Sequence, residues 1–277
     1  MSDDVILLVG HGSREQPGND EFLAFCEAVR PHLGPERVET CFIELTEPLV
    51  PESLDRCVAL GASRVVVLPV ILLAAGHVKV ELPHELDEAK ARHPGVEFLY
   101  GRHIGLDPLV LEIMDQRLAE LERDAAWAPD ETAVLVVGRG SSDPDANSEL
   151  FKLSRLIWES RRYPWVETCF IGVTGPSLPE GLARCRALGA RRIALVPYFL
   201  FTGVLIPRIH RLVGEFTAAH PGVEARVADY LNGHPKLFRV LQERKAEARR
   251  GEARMNCALC KYRVPLPGHE HAVATPA

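Results

Sequence analysis

The apolar positions of this chain fall into two kinds of run. Short, nearly unbroken stretches rich in β-branched residues stand at VILLV from Val5, RVVVLPV from Arg64 and AVLVV from Ala133. Strands buried on both faces read this way, as they do in parallel sheets. Between them lie segments with helical spacing, such as EFLAFCEAVRPHL from Glu21 and PESLDRCVALGA from Pro51. The second carries Pro51 where a first helical turn accepts it and ends on Gly61, a residue suited to a helix C-terminus. About four strands with interleaved helices per half of the chain predict an α/β fold, a doubly wound parallel sheet built from βαβ units.

The halves are copies. VETCFI occurs at Val38 and again at Val166, 128 residues later, and VILLVGHGSREQPG from Val5 matches AVLVVGRGSSDPDA from Ala133 at the same offset. LDRCVALGASR from Leu54 pairs with LARCRALGARR from Leu182, and HPGVE recurs at His93 and His220 with the offset reduced to 127. One residue is therefore missing from the second copy, and the sequence places the gap between the proline of VVVLP and Gly76. Two similar lobes of roughly 120 residues each are expected from this internal duplication. The first spans 1–124, a linker in the Ala- and Pro-rich RDAAWAPDE covers 125–132, the second spans 133–250, and a flexible tail covers 251–277.

What both copies keep is explained by folding, and what only one keeps needs another reason. His11 becomes Arg139, Glu44 becomes Gly172 and, with Gly76 set against Gly203, His77 becomes Val204. Ligands of open parallel sheets sit at the carboxyl ends of the strands, where all three first-copy residues fall. Taken singly, each is an ordinary turn, capping or edge residue. Their joint replacement at one end of one sheet by groups that do not bind metal points to a shared task. Two imidazoles and a carboxylate suit borderline divalent ions such as cobalt, nickel, iron or zinc, and equally suit the removal of protons. The matched pairs Cys41 with Cys169 and Cys57 with Cys185 read instead as small buried apolar groups.

Charge and composition narrow the partners. A net charge of −6 argues against nucleic acid as the main ligand. No run of about 18 apolar residues occurs, so no membrane span is expected, and MSDDVILLVG lacks the marks of an export signal. Seven cysteines are then expected as free thiols or metal ligands in a cytoplasmic protein.

VGHGSR at Val9–Arg14, FIELTEPLVPESL at Phe42–Leu54 and LLAAGHVKVELP at Leu72–Pro83 together resemble the long form of the CbiX-type sirohydrochlorin chelatases, relatives of ferrochelatase. The resemblance covers nearly the whole chain. It implies two α/β lobes with the substrate between them, and insertion of a divalent metal into sirohydrochlorin, a polycarboxylate cyclic tetrapyrrole. Cobalt is the metal usually inserted, for cobalamin, with iron or nickel in close relatives. Carried over to this sequence, the metal-handling residues are His11, Glu44 and His77, as ligands or proton acceptors whose division of roles stays open. Arg139, Ser141 and Ser142 of the second copy, Ser13 and Arg14 of the first, and Arg208, aligned with Glu81, are candidates to bind the substrate carboxylates.

The tail has no counterpart after the first copy. Cys257 and Cys260 form a C-x-x-C near His269 and His271, a pattern that fits zinc, a redox pair or part of an iron–sulfur site. The resemblance extends to Met255, Cys257 and Cys260 and implies an iron–sulfur cluster. Two thiolates do not complete the usual set, so two chains share a cluster as a homodimer, other ligands contribute, or the tail of a monomer delivers metal. The expected activity is that of a sirohydrochlorin cobaltochelatase, a lyase. The alternatives are a ferrochelatase acting for sirohaem and a two-lobed metal or tetrapyrrole carrier without catalysis.

Overall fold

The computed structural model describes residues 4–253, so Met255, Cys257, Cys260, His269 and His271 lie outside the described residues. Each copy forms a four-stranded parallel sheet. In the first, β1 (Asp4–Gly10), β2 (Arg37–Phe42), β3 (Arg64–Pro69) and β4 (Glu97–Tyr100) lie in the order β2-β1-β3-β4. In the second, β5 (Ala133–Gly138), β6 (Val166–Phe170), β7 (Arg192–Pro197) and β8 (Glu224–Val227) repeat it as β6-β5-β7-β8. Register sets Gly10 beside Phe42 and Val9 beside Pro69, so the three central strands end at one edge. In both sheets the chain reverses its direction of winding beside the first strand, which opens a crevice there.

Alternation along β1 divides two cores. Val5, Leu7 and Val9 face outward onto α2 (Val50–Ala59) and α3 (Leu82–Arg92). Ile6 and Leu8 face inward, joining Val134, Val136, Ala194 and Val196 of the other sheet in one cluster that runs through both lobes. The inner layer comprises α1 (Gln16–Val29), α4 (Pro108–Ala125), α5 (Pro144–Ser160) and α8 (Pro235–Arg249). The outer face of the second sheet carries α6 (Leu178–Ala187) and α7 (Leu205–Ala219).

The last helix of each copy crosses over. α4 packs on β7 and α8, while α8 packs on β3 and β4. Repeat boundary and packing boundary therefore differ. The segment read as a linker is itself packed: Ala126 turns the chain in the left-handed region at φ 55°, and the buried Trp127 joins the inner core. The exchange is fastened by Arg244 of α8, which is fully buried. It donates to the backbone oxygens of His103 and Ile104 and pairs with Asp107 at 2.7 Å. Among the described residues no helix is long and apolar enough to cross a membrane.

His103 sits in this seam with no hydrogen-bond partner for either ring nitrogen. Burial, and then Arg102, Arg244 and Lys79, push its pKa from an ordinary 6.5 down to about 3. The unfolded chain therefore takes up a proton at this ring as the pH falls through 6.5, and the folded chain does so only near 3. Stability from this group is complete above the higher value and is lost on acidification between the two. The expected slope is about 1.4 kcal/mol per pH unit. Urea unfolding across this range should show it, with a shallower slope in His103→Gln. An equal slope in the variant would assign the effect to other groups.

Candidate active site

His11 follows β1, Glu44 follows β2, and His77 opens a five-residue π turn, His77–Glu81, between β3 and α3. One ligand atom from each lies within 4.8 Å of the others. Nδ1 of His11 stands 3.6 Å and Nε2 of His77 3.9 Å from the same oxygen of Glu44. The two rings meet edge to face with centroids 4.8 Å apart. All three side chains are half-buried, so an ion held here is reachable from the cleft. Burial first, and Arg139 second, hold the His11 imidazole below its ordinary pKa. The neutral form of the ring, the form that binds metal, is thereby favoured.

Gly12 makes the approach possible. A Cβ there would fall 1.9 Å from the Glu44 backbone oxygen, and its φ of +91° lies in the left-handed region. Gly140 repeats the construction against Gly172 with a gap of 2.2 Å. The glycines of GHGS and GRGS thus belong to the fold. The same holds for Ser13 and Ser141: each exchanges backbone hydrogen bonds with an asparagine side chain, Asn19 or Asn147, and each hydroxyl accepts an amide two residues on.

His11 and Glu44 line a cleft of about 750 Å³ between the lobes, and His77 stands against both of them. Its floor is apolar, with Phe22, Phe42, Leu72, Leu150, Phe170 and Phe201, and Arg14 and Arg139 stand on its wall with Ser13 and Ser141. Arg139 occupies the position equivalent to His11 and meets it across the cleft, with Nη1 3.5 Å from Nε2. Ser142 and Arg208 are exposed and lie off the cleft lining. Arg208 falls on the face of α7 away from the buried Ile206, Ile209 and Val213.

Residues that the sequence did not single out hold the π turn. Lys79, buried, reaches into the second lobe to Asp143 at 2.9 Å and Asp145 at 2.7 Å. The Tyr100 hydroxyl donates to the Val78 oxygen at 2.7 Å, and Glu81 accepts from His77 at 2.7 Å. At the offset of 127 these three become Ile206, Val227 and Arg208. The contrast that exposed the trio was therefore available for them too.

The sequence profile of the CbiX family matches residues 5–121 and again 133–248. The chain is 47% identical to the sirohydrochlorin cobaltochelatase of Priestia megaterium, over 95% of this chain and 86% of that one. It is 33% identical to the sirohydrochlorin ferrochelatase of the same organism, over 86% and 88%. The solved structure of SirB from Bacillus subtilis with Fe3+ superposes with a TM-score of 0.79 at 32% identity, covering 91% of this chain and 99% of that one.

Proposed function

The chain belongs to the CbiX family, and from that premise we propose that it is a sirohydrochlorin cobaltochelatase, a lyase inserting Co2+ into the tetrapyrrole. The observation that carries the reading is the trio of His11, Glu44 and His77, carried by one lobe only, with His11 and Glu44 lining a cleft of tetrapyrrole-compatible size. Cobalt rather than iron is favoured by the 47% identity to a cobaltochelatase against 33% to a ferrochelatase.

Insertion exchanges two pyrrole N–H protons for one divalent ion, so the protein must hold the ion weakly and accept protons. Two imidazoles and one carboxylate supply three ligands, leaving the remaining coordination positions to water and then to pyrrole nitrogens. As a pyrrole nitrogen replaces a ligand, that ligand is freed to take the displaced proton. The half-exposed Glu44 carboxylate, adjacent to both rings, is placed to pass it to solvent. The macrocycle lies against the aromatic floor, and Arg14 and Arg139 pair with peripheral carboxylates. Arg139 also sets the sign of the field: beside His11 it disfavours a proton and leaves the lone pair for metal.

Work in the cytoplasm is part of the same proposal, supported by the buried, unpaired cysteines among the described residues, Cys26, Cys41, Cys57, Cys169 and Cys185. Mixing the purified protein with sirohydrochlorin and Co2+, Fe2+ or Ni2+ under anaerobic conditions and following absorbance tests the reading. Multiple turnovers with cobalt preferred are expected. Binding without turnover would make the protein a carrier, and faster iron insertion would make it a ferrochelatase.

A further inference from the structure

His77 differs from His11 in what stands behind its ring. Nδ1 of His77 lies 2.7 Å from Oε2 of Glu81, four residues on and on the same face of the turn. A carboxylate only accepts, so Nδ1 carries the proton and the ring has its single lone pair at Nε2. That nitrogen is the one directed at Glu44, 3.9 Å away. At His11 the nearest contact of Nδ1 is the backbone oxygen of Gly12 at 3.2 Å, and the carboxylate near it is that of Glu44 at 3.6 Å, itself a member of the trio.

The backbone carrying the pair is fixed on both sides. Tyr100 holds the Val78 oxygen, and Lys79 is tied to Asp143 and Asp145 of the second lobe. π turns of this kind recur at functional sites. In the second copy the pair is lost together: His77 becomes Val204 and Glu81 becomes Arg208. Such exposed helical ion pairs contribute little to stability, so stability alone gives this pair no reason to be kept where the metal-binding trio is kept.

We propose that Glu81 is a positioning residue for metal insertion: its carboxylate fixes the Nδ1–H tautomer of His77 and aims Nε2 at the ion held with His11 and Glu44. The proposal rests on the reading of that trio as the metal site. Metal-bound imidazoles are commonly held by such a carboxylate, and its removal typically costs 10–100-fold in affinity.

The test titrates Co2+ alone, without sirohydrochlorin, into the full chain and its Glu81→Ala, Glu81→Gln and His77→Ala variants by calorimetry. Long-range proton–nitrogen spectra of the metal-free proteins report which nitrogen of His77 is protonated. Glu81→Ala is expected to bind Co2+ roughly 10–100-fold more weakly and to show a mixture of His77 tautomers. Glu81→Gln, whose amide oxygen accepts the same bond, is expected to regain the wild-type tautomer and most of the affinity. Wild-type affinity in Glu81→Ala overturns the proposal, and so does a Glu81→Gln variant as weak as Glu81→Ala, which would assign the effect to charge. Loss in His77→Ala with none in Glu81→Ala overturns this inference alone, whereas no loss in His77→Ala overturns the trio and the inference with it.

Discussion

Replacing His11 or His77 by Ala is expected to lower the rate of cobalt insertion into sirohydrochlorin by roughly 10²–10⁴-fold, the contribution of a positioned proton-transfer group. Each variant removes one of three ligand atoms that lie within 4.8 Å of one another, and with it one acceptor for a displaced pyrrole proton. Neither residue carries the core: both side chains are 30% exposed and lie outside the buried clusters. The thermal midpoint should therefore move little while the rate collapses. Initial rates from the absorbance change, measured with saturating sirohydrochlorin, provide the check, and a loss of less than about tenfold in both variants would remove the imidazoles from the chemistry. Val204→Ala, at the equivalent place in the second lobe, should leave the rate within about twofold, because an aliphatic side chain has no part in holding an ion or a proton.

Lys79→Met is expected to produce the largest loss of stability, about 3–5 kcal/mol, because it strands two carboxylates that the ammonium now satisfies. Side-chain exposures of 5% for Lys79, 1% for Asp143 and 9% for Asp145 leave solvent little opportunity to replace it. Burial alone would pull the Lys79 pKa down, but the hydrogen bonds it donates to Asp145 and Asp143 outweigh it and raise the value above its ordinary range. The group is thus charged throughout the range of interest. A fall in thermal midpoint of roughly 6–20 °C follows for a protein of this size. Lys79→Met combined with Asp143→Asn and Asp145→Asn should recover most of it, since no unpaired charge is then buried. Asn at 143 also preserves the N-cap acceptor of α5. If the triple variant is no more stable than the single one, lost packing and not stranded charge is the cause.

Much of this architecture is legible in the chain before any coordinates are known. Runs such as VILLV are apolar at every position because β1 is buried on both faces, and the 128-residue offset carries that reading to β5. Strand ends are equally readable, and they bring His11, Glu44 and His77 to one edge. The exchange of α4 and α8 was not readable, because an amphipathic stripe specifies an apolar partner without specifying which lobe supplies it. Ser13 and Ser141, candidates for substrate contact, line the cleft, and the turns that their hydrogen bonds shape give a folding reason for both copies to keep them. The one-residue difference between copies was visible as a change of offset, and the sequence placed it before Gly76. In the structure the first copy enters its helix through a π turn after Gly76 in the right-handed helical region, whereas Gly203 stands at φ 155° before an α turn. That change of turn type, at an offset already reduced to 127, is a distinction that side-chain pattern does not encode.

Crossed terminal helices have an evolutionary consequence. Two separate single-lobe chains embracing through the same swap would be related by a twofold axis, and every residue at the crevice would confront its own twin. An imidazole at position 11 would then face another imidazole, and no mutation could alter one without altering both. Joining the partners covalently breaks that obligation, leaving one subsite free to drift to a guanidinium while the other keeps its histidine. The single-sided crevice is thus something that only a fused polypeptide can inherit.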